Sequence, residues 1–428
     1  MNVLVVGSGG REHALAWCFA KASSVEQVFV APGNPGCQGE HGVSNVEIDP
    51  SDFSALAKLV QTERVDLTVV GPEQPISEGI RDYFDRFDLA CFAPTKAAGR
   101  LESSKSFAKD FMSRNNIPTA GAFITQDLEE ASEFIHQKGA PIVVKADGLA
   151  AGKGVTVART TSEALEAAAG MLTEARFGDA GATVVIEDFM DGEEASFTLL
   201  SDGVDVLPLA SSQDHKPIFD GDKGPNTGGM GAYSPAPVVC SRVYEKVMHK
   251  IVKPTIQGMA SEGSPFQGFL YIGLMVVGDE PRVVEYNCRF GDPEAQPVLM
   301  RMKSDLALLC SAALEGGLRN HQIDFANECA VGVVLASEGY PNKYDVGFPI
   351  AGLDDEMPNA KVFHAGTRNL NGQTVTNGGR VLTVVGLGDD IVDAQKAAYD
   401  RASNIKWDGM QMRSDIGHRA VERLNQPG

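Results

Sequence analysis

Four short apolar runs in the first hundred residues, at 3–6, 28–30, 67–70 and 89–92, carry no polar alternation. They stand between longer stretches of helical periodicity. A strand that is apolar on both faces must be covered on both, and parallel strands joined by crossover helices achieve that. The pattern predicts helices over about 11–22, 53–61 and 76–87 on a doubly wound parallel sheet, closed at Pro94-Thr95.

The next stretch changes character. A helix is expected over 105–115, stopping before Pro118, and Asp127 with Glu130 forms a capping pair for a helix to about Lys138. Strands at 142–145, 155–157 and 184–187, with a helix over 162–173, make a βα unit small enough to move as one piece, a lid over about 120–190. Alternation over 194–209 with Asp202-Gly203 at its turn predicts a hairpin. Residues 221–237 read as one long Gly/Pro-rich loop. Runs at 331–335, 361–363 and 380–385 with a helix over 391–403 predict a compact α+β unit. Three domains follow: 1–103, 104–330 and 331–428.

Charge narrows the function. The 428 residues hold 37 Lys and Arg against 57 Asp and Glu, a net charge of −20. That field repels nucleic acid and anionic lipid, so neither is expected as a partner. The charge of a phosphorylated small substrate must be met locally. Seven cysteines, odd in number and without a C-x-x-C pair, favour a reducing compartment. No basic region precedes the first apolar run, and no stretch approaches 18 apolar residues, so a cytoplasmic protein is expected.

Gly7-Ser8-Gly9-Gly10-Arg11-Glu12 follows a strand and opens a helix, but Glu12 takes the third glycine position of a dinucleotide fingerprint. No acidic residue ends the second strand either. Two readings stand: a packing turn, or a ligand cradle of N–H groups involving Gly9, Gly10 and Glu12. In Gly148-Leu149-Ala150-Ala151-Gly152-Lys153-Gly154, the last glycine replaces the magnesium-binding hydroxyl of a P-loop. The segment lies between two strands, as a hairpin able to wrap phosphates with its amides, with Lys153 adding charge. Lys145 ends an apolar strand, where a lysine is costly unless it meets an anion. Along 283–289, a period of two puts Glu285, Asn287 and Arg289 on one face, with Val284, Tyr286 and Cys288 on the other. A carboxylate beside an amide oxygen suits a hard cation carrying triphosphate oxygens, and Arg289 suits a transferring phosphoryl group. Asp292 and Glu294 follow, placed to position an ammonium or amine. Asp214 and Lys216, and Asn226-Thr227-Gly228 in the glycine-rich loop, read equally as substrate contacts or turn chemistry.

Together with Gly71-Pro72-Glu73 and Gly192-Glu193-Glu194-Ala195-Ser196, these motifs resemble the ATP-grasp superfamily. Within it they are similar to the phosphoribosylamine–glycine ligase (glycinamide ribonucleotide synthetase) family, over essentially the whole chain. The resemblance implies an N-terminal α/β substrate-binding domain, a lid and central ATP-grasp domain, and a C-terminal α+β domain. It implies Lys105 and Lys145 as phosphate ligands, with Gly152, Lys153 and Gly154 in the closing loop. Glu187, Phe189 and Glu194 frame adenine and ribose, and Glu285 and Asn287 hold Mg²⁺ or Mn²⁺. Arg289, Lys216 and Asp292 serve catalysis. Gly9, Gly10, Glu12, Asp214, Asn226, Thr227, Gly228 and Glu294 serve the substrates. One departure stands out: Gly273 occupies the place, twelve residues before Glu285, where many superfamily members carry another acid. The implied reaction joins glycine to 5-phosphoribosylamine, with ATP yielding ADP and phosphate through glycyl phosphate, the second step of purine biosynthesis. The enzyme is expected to be a monomer with small-molecule partners only. Alternatives are another ATP-grasp carboxylate–amine ligase, a biotin-dependent carboxylase, or a nucleotide-sensing protein with a dead site.

Overall fold

The structure, a computed structural model, describes residues 1–150, 154–173 and 178–424. Its first unit is a five-stranded parallel sheet in the order Val43–Asn45, Gln27–Pro32, Asn2–Gly7, Leu67–Val70, Cys91–Phe92. The central strand explains why no polar alternation is seen. Val3 and Val5 pack with Ala14, Leu15 and Phe19 on one side. Leu4 and Val6 pack with Leu56, Val60, Ile76 and Phe84 on the other. Strand order reverses at Asn2–Gly7, so its C-terminal end opens a crevice between neighbouring connections, the usual ligand position in such sheets.

The helix expected over 76–87 is two helices, Glu73–Glu78 and Ile80–Asp85. Gly79 parts them in the left-handed region at φ 96°, its N–H reaching back to the Pro75 and Ile76 carbonyls. The last strand is shorter than expected.

A four-stranded antiparallel sheet follows, in the order Ala122–Thr125, Val184–Asp188, Ile142–Ala146, Val155–Ala158. Helices Leu128–Lys138 and Thr161–Leu172 cover it, and Ile135, Val144, Ala168 and Ile186 give it a core of its own. Beside it stands a second antiparallel sheet: Val206–Pro208, Glu193–Asp202, Gln267–Val277, Glu280–Asn287. The hairpin expected at Asp202 is present, with Ser201 opposite Val206.

In Glu280–Asn287 the register slips. Leu274 pairs with Val283, but the preceding Gly273 pairs with Glu285, leaving Val284 as an extra residue. Val283, Tyr286 and Cys288 face the core. Val284 turns to the same side as Glu285, Asn287 and Arg289, where all four line one cleft. Strict alternation had placed Val284 with the core residues, and the bulge corrects it.

The region read as a loop over 221–237 holds two strands. Lys223–Asn226 pairs with Pro217–Phe219, and Gly231–Ser234 enters the C-terminal sheet between Gln213–Asp214 and Cys329–Ser337. Arg380–Gly388 and Ala360–His364 continue that sheet, and helix Ile391–Ala402 packs against it through Ala394 and Ala398. Ala232 and Tyr233 are fully buried. Glycine hid this strand: a Cβ on Gly231 would stand 2.6 Å from the Gly332 carbonyl oxygen, so only glycine lets the two backbones approach there.

Gly79→Ala tests the helix break. Its methyl group would meet nothing closer than 3.5 Å, so the cost is backbone strain alone, about 1–2 kcal/mol. The unfolding free energy should fall by that amount, seen as a lower denaturant midpoint at unchanged slope.

Candidate active site

One cleft of about 850 Å³ lies where the crevice of the parallel sheet, both antiparallel sheets and the C-terminal sheet meet. Its cationic wall comes from two elements. In Ile142–Ala146, Ile142 and Val144 point into the core of the small unit, so Val143 and Lys145 point into the cleft. In helix Lys105–Arg114, Lys105 and Lys109 lie one turn apart on the same side. Glu187, itself buried, shares its carboxylate between them: one oxygen stands 3.0 Å from Lys145 Nζ, the other 3.3 Å from Lys109 Nζ. Burial pushes the Lys109 ammonium down to about 8 despite the pull of Glu187. Burial likewise lowers Lys105, whose ammonium donates to the Gly148 carbonyl at 3.0 Å. Asp147 accepts the Ser106 N–H at 2.6 Å, docking the base of the glycine loop on the start of this helix.

The acidic wall faces it. Lys216 Nζ stands 3.2 Å from Glu194 and 3.8 Å from Glu285. Burial works against the Lys216 charge, but Glu194, Asp214 and Glu285 outweigh it and hold its pKa far above the usual lysine value. Asp214, desolvated and crowded by Glu294, Glu194 and Glu285, is pushed up to about 7 even with Lys216 beside it. Burial also tends to raise Glu285, but Lys216, Lys145 and Lys105 keep it below the ordinary carboxylate value. Asn287 donates its amide N–H to the Tyr286 carbonyl at 2.8 Å, which leaves its oxygen as the group free for a cation.

Glu285 and Asn287 thus offer two hard oxygen donors in a negatively charged setting, fitting a divalent ion that takes its remaining ligands from phosphate and water. No group of three or more His, Cys, Asp or Glu placed to hold a metal exists among the described residues. The ion would therefore arrive with its nucleotide. Gly273 lies in register with Glu285, and a Cβ there would stand 3.2 Å from Glu285 Cγ. The Glu285 side chain lies across the position where a second acid would start.

The remaining expected residues fall into groups. Arg289 is held by Glu73 at 3.1 Å and Glu102 at 3.0 Å. Glu102 spends its other oxygen on the Cys288 N–H. Asp292 pairs with Arg380 at 3.1 Å and accepts from Gln296 at 2.7 Å. Glu294 accepts from the Ser196 hydroxyl at 3.0 Å. Phe189 lines the cleft with the Arg159 guanidinium 4.7 Å from its ring centre. Thr227 donates to the Lys216 carbonyl and accepts the Gly229 N–H. Asn226, Gly228 and Gly154 also line the cleft. Gly152 and Lys153 lie outside the described residues.

Glu12 and Gly10 each have a packing role. Glu12 spends one oxygen on the Gly9 N–H at 2.5 Å and the other on Arg11 at 2.6 Å, so in this state it caps its own helix rather than leaving that N–H to a ligand. A Cβ on Gly7, at φ 127°, would meet Glu12 Cγ at 2.6 Å, which is why glycine stands there. Gly10 is buried off the cleft, where a Cβ would meet Gln296 at 2.6 Å.

Among the cleft residues missed are Lys109, Glu73, Glu102, Arg11 and Arg380. Lys109 had a signal, a lysine one helical turn after Lys105 and next to Ala108. Arg380 had none, since it merely begins a strand far along the chain.

Three family models match in chain order: the phosphoribosylglycinamide synthetase N domain over residues 1–102, its ATP-grasp (A) domain over 103–295 and its C domain over 330–419. A phosphoribosylamine–glycine ligase of Vibrio vulnificus is 53% identical over 428 residues, covering 100% of both chains. One of Escherichia coli is 53% identical over 426 residues, covering 99% of both. The crystal structure of phosphoribosylamine–glycine ligase from Thermotoga maritima superposes with a TM-score of 0.84 at 32% identity, covering 97% of this chain and 100% of that one. A biotin carboxylase from Campylobacter jejuni, at 14% identity, TM-score 0.72 and coverage of 100% and 95%, shares the fold alone. Matched over 1–102, 103–295 and 330–419 in the order N, A, C, the chain belongs to the phosphoribosylglycinamide synthetase family and has the ATP-grasp fold.

Proposed function

We propose that this protein joins glycine to 5-phosphoribosylamine at the expense of ATP, giving glycinamide ribonucleotide, ADP and phosphate in purine biosynthesis. The observation that carries the reading is a single cleft in which Lys105, Lys109 and Lys145 oppose the oxygen donors of Glu285 and Asn287. A triphosphate bearing a divalent ion matches that division of charge. Relatives at half identity along the whole chain bear the same activity in their names, which favours the ligase over a carboxylase.

A carboxylate is a poor electrophile, because oxide leaves badly. Phosphorylation of glycine by the γ-phosphate gives glycyl phosphate, which the ribosylamine nitrogen attacks with loss of phosphate. Such transfer needs positioning and charge neutralisation more than covalent help. The lysines hold the phosphates, and Arg289, fixed by Glu73 and Glu102, faces the transferring group. Asp214, Asp292 and Glu294 receive the amine ends of the substrates. Mg²⁺ or Mn²⁺ on Glu285 and Asn287 would supply charge to the phosphate oxygens. Phe189 and Glu194 would flank the nucleoside, while the carboxylate of Glu187 is engaged by the two lysines. The small antiparallel unit with its own core serves as the lid, shielding an acyl phosphate from water.

We assign residues 1–103 to acceptor binding, 104–330 to the ATP-grasp domain with its lid over about 120–190, and 331–428 to a C-terminal domain. The working form is a cytoplasmic monomer. No helix among the described residues is long and apolar enough to cross a membrane.

The direct test is ADP release by the purified protein with glycine and phosphoribosylamine each omitted in turn. Release should need both, and release without glycine overturns the reading. Glu285→Gln keeps the side-chain volume but loses a charged donor to the ion. Turnover should fall about 10²–10³-fold, with a melting temperature close to wild type because the residue faces the cleft. Glycine labelled with ¹⁸O in its carboxylate should pass one label to inorganic phosphate per turnover and keep the other in the amide. Label in AMP would instead mean an adenylate route.

A further inference from the structure

Arg380 begins a strand of the C-terminal sheet, yet its guanidinium lines the cleft. One nitrogen donates to the Gly228 carbonyl at 2.6 Å, the Asp292 carbonyl at 2.7 Å and, more weakly, the Gly229 carbonyl at 3.4 Å. The other meets the Asp292 carboxylate at 3.1 Å. From the same sheet region, Tyr340 accepts the Gly228 N–H at 3.0 Å. Two segments far apart in sequence, around Gly228 and Asp292, are thus tied to the C-terminal sheet by one planar cation. A guanidinium suits this because its donors diverge in fixed directions.

Asp292 sits where the acceptor side of the cleft begins. Ideal Cβ atoms on Gly9 and Gly10 would stand 3.8 and 3.7 Å from its oxygens, so it borders the turn at the crevice of the parallel sheet. None of the groups gripped by Arg380 belongs to the lysine wall or to the small antiparallel unit. Its influence therefore falls on the acceptor and not on the nucleotide.

We propose that Arg380 is a positioning residue of the ligation, through which the C-terminal sheet holds Asp292 and the Gly228 loop where the amine acceptor is received. The proposal rests on the ligase reading above. Burial works to raise the Asp292 carboxyl, but Arg380, Arg11, the Gln296 hydrogen bond and Arg289 outweigh it and keep it below the ordinary aspartate value. Tyr340, Glu294 and Arg289 also act on the Arg380 guanidinium, Glu102 and Glu73 act on Arg289, and Glu12 lies beside Gly9 with Asp292. Loss of Arg380 removes the largest of the cationic contributions, so the Asp292 carboxyl rises.

Wild type, Arg380→Gln and Arg380→Lys are compared by steady-state kinetics for each substrate, with ATP affinity measured by equilibrium titration. In Arg380→Gln, kcat/KM for phosphoribosylamine should fall at least about ten-fold, while ATP affinity stays within about two-fold. Arg380→Lys should recover part of that loss. Unchanged kinetics, no recovery in Arg380→Lys, or an equal loss in ATP affinity in both variants would overturn the positioning role while leaving the ligase reading intact. Wild-type protein that releases no ADP in response to glycine and phosphoribosylamine would bring down both.

Discussion

Glu187 divides one carboxylate between Lys145 and Lys109, both of them buried, and so leaves an excess positive charge inside the protein. Buried charge without a full complement is expensive, by several kcal/mol per ion. The surroundings reduce that cost in stages. Lys109 yields part of its proton affinity, Lys105 turns to the Gly148 carbonyl, and Glu285 contributes a field from across the cleft. A polyanion entering between the walls completes the compensation. The chain is strongly acidic overall, so this local excess is the attraction that its net charge of −20 would otherwise deny to a triphosphate.

The acidic wall depends on one irregularity of the backbone. Were Val284 paired in strict alternation instead of bulged, the count from the buried Val283 would turn Glu285, Asn287 and Arg289 into the core and Tyr286 and Cys288 into the cleft. With the bulge, Tyr286 keeps its hydroxyl partner Thr255 in the core, and three polar side chains reach the ligand space. Gly273 belongs to the same design. It pairs with Glu285 just where the register slips, and its missing side chain leaves room for the carboxylate.

How much could be read beforehand follows from the range of each interaction. The parallel sheet was legible because its strands are apolar on both faces, and Glu285, Asn287 and Arg289 because strand spacing repeats every two residues. The break at Gly79 was missed because helical periodicity continues across it. The strand Gly231–Ser234 was missed because close backbone approach demands the same glycine that ordinarily marks a turn. Lys109 could have been found from its spacing to Lys105. Arg380 could not, since its partners Gly228 and Asp292 are 152 and 88 residues away and no local pattern encodes such a meeting. The glycine at position 10 answers to the packing of Gln296, a constraint that the motif around it could not distinguish from a ligand.

That misread strand also bears on how the chain comes to be a single molecule. Ala232 pairs with Gly332, one hundred residues further on, and the Gly228 loop beside it is held by side chains still later in sequence. During synthesis the middle of the chain emerges with a buried strand that has no neighbour on its Cys329–Ser337 side, an edge of the kind that invites wrong pairing. Nearest-neighbour folding cannot satisfy it, and such distant pairings slow folding. The three segments are therefore sewn together rather than strung in a row. Dividing the protein at the junction near residue 330 would open a seam through the C-terminal sheet and leave the Gly228 loop without the side chains that hold it.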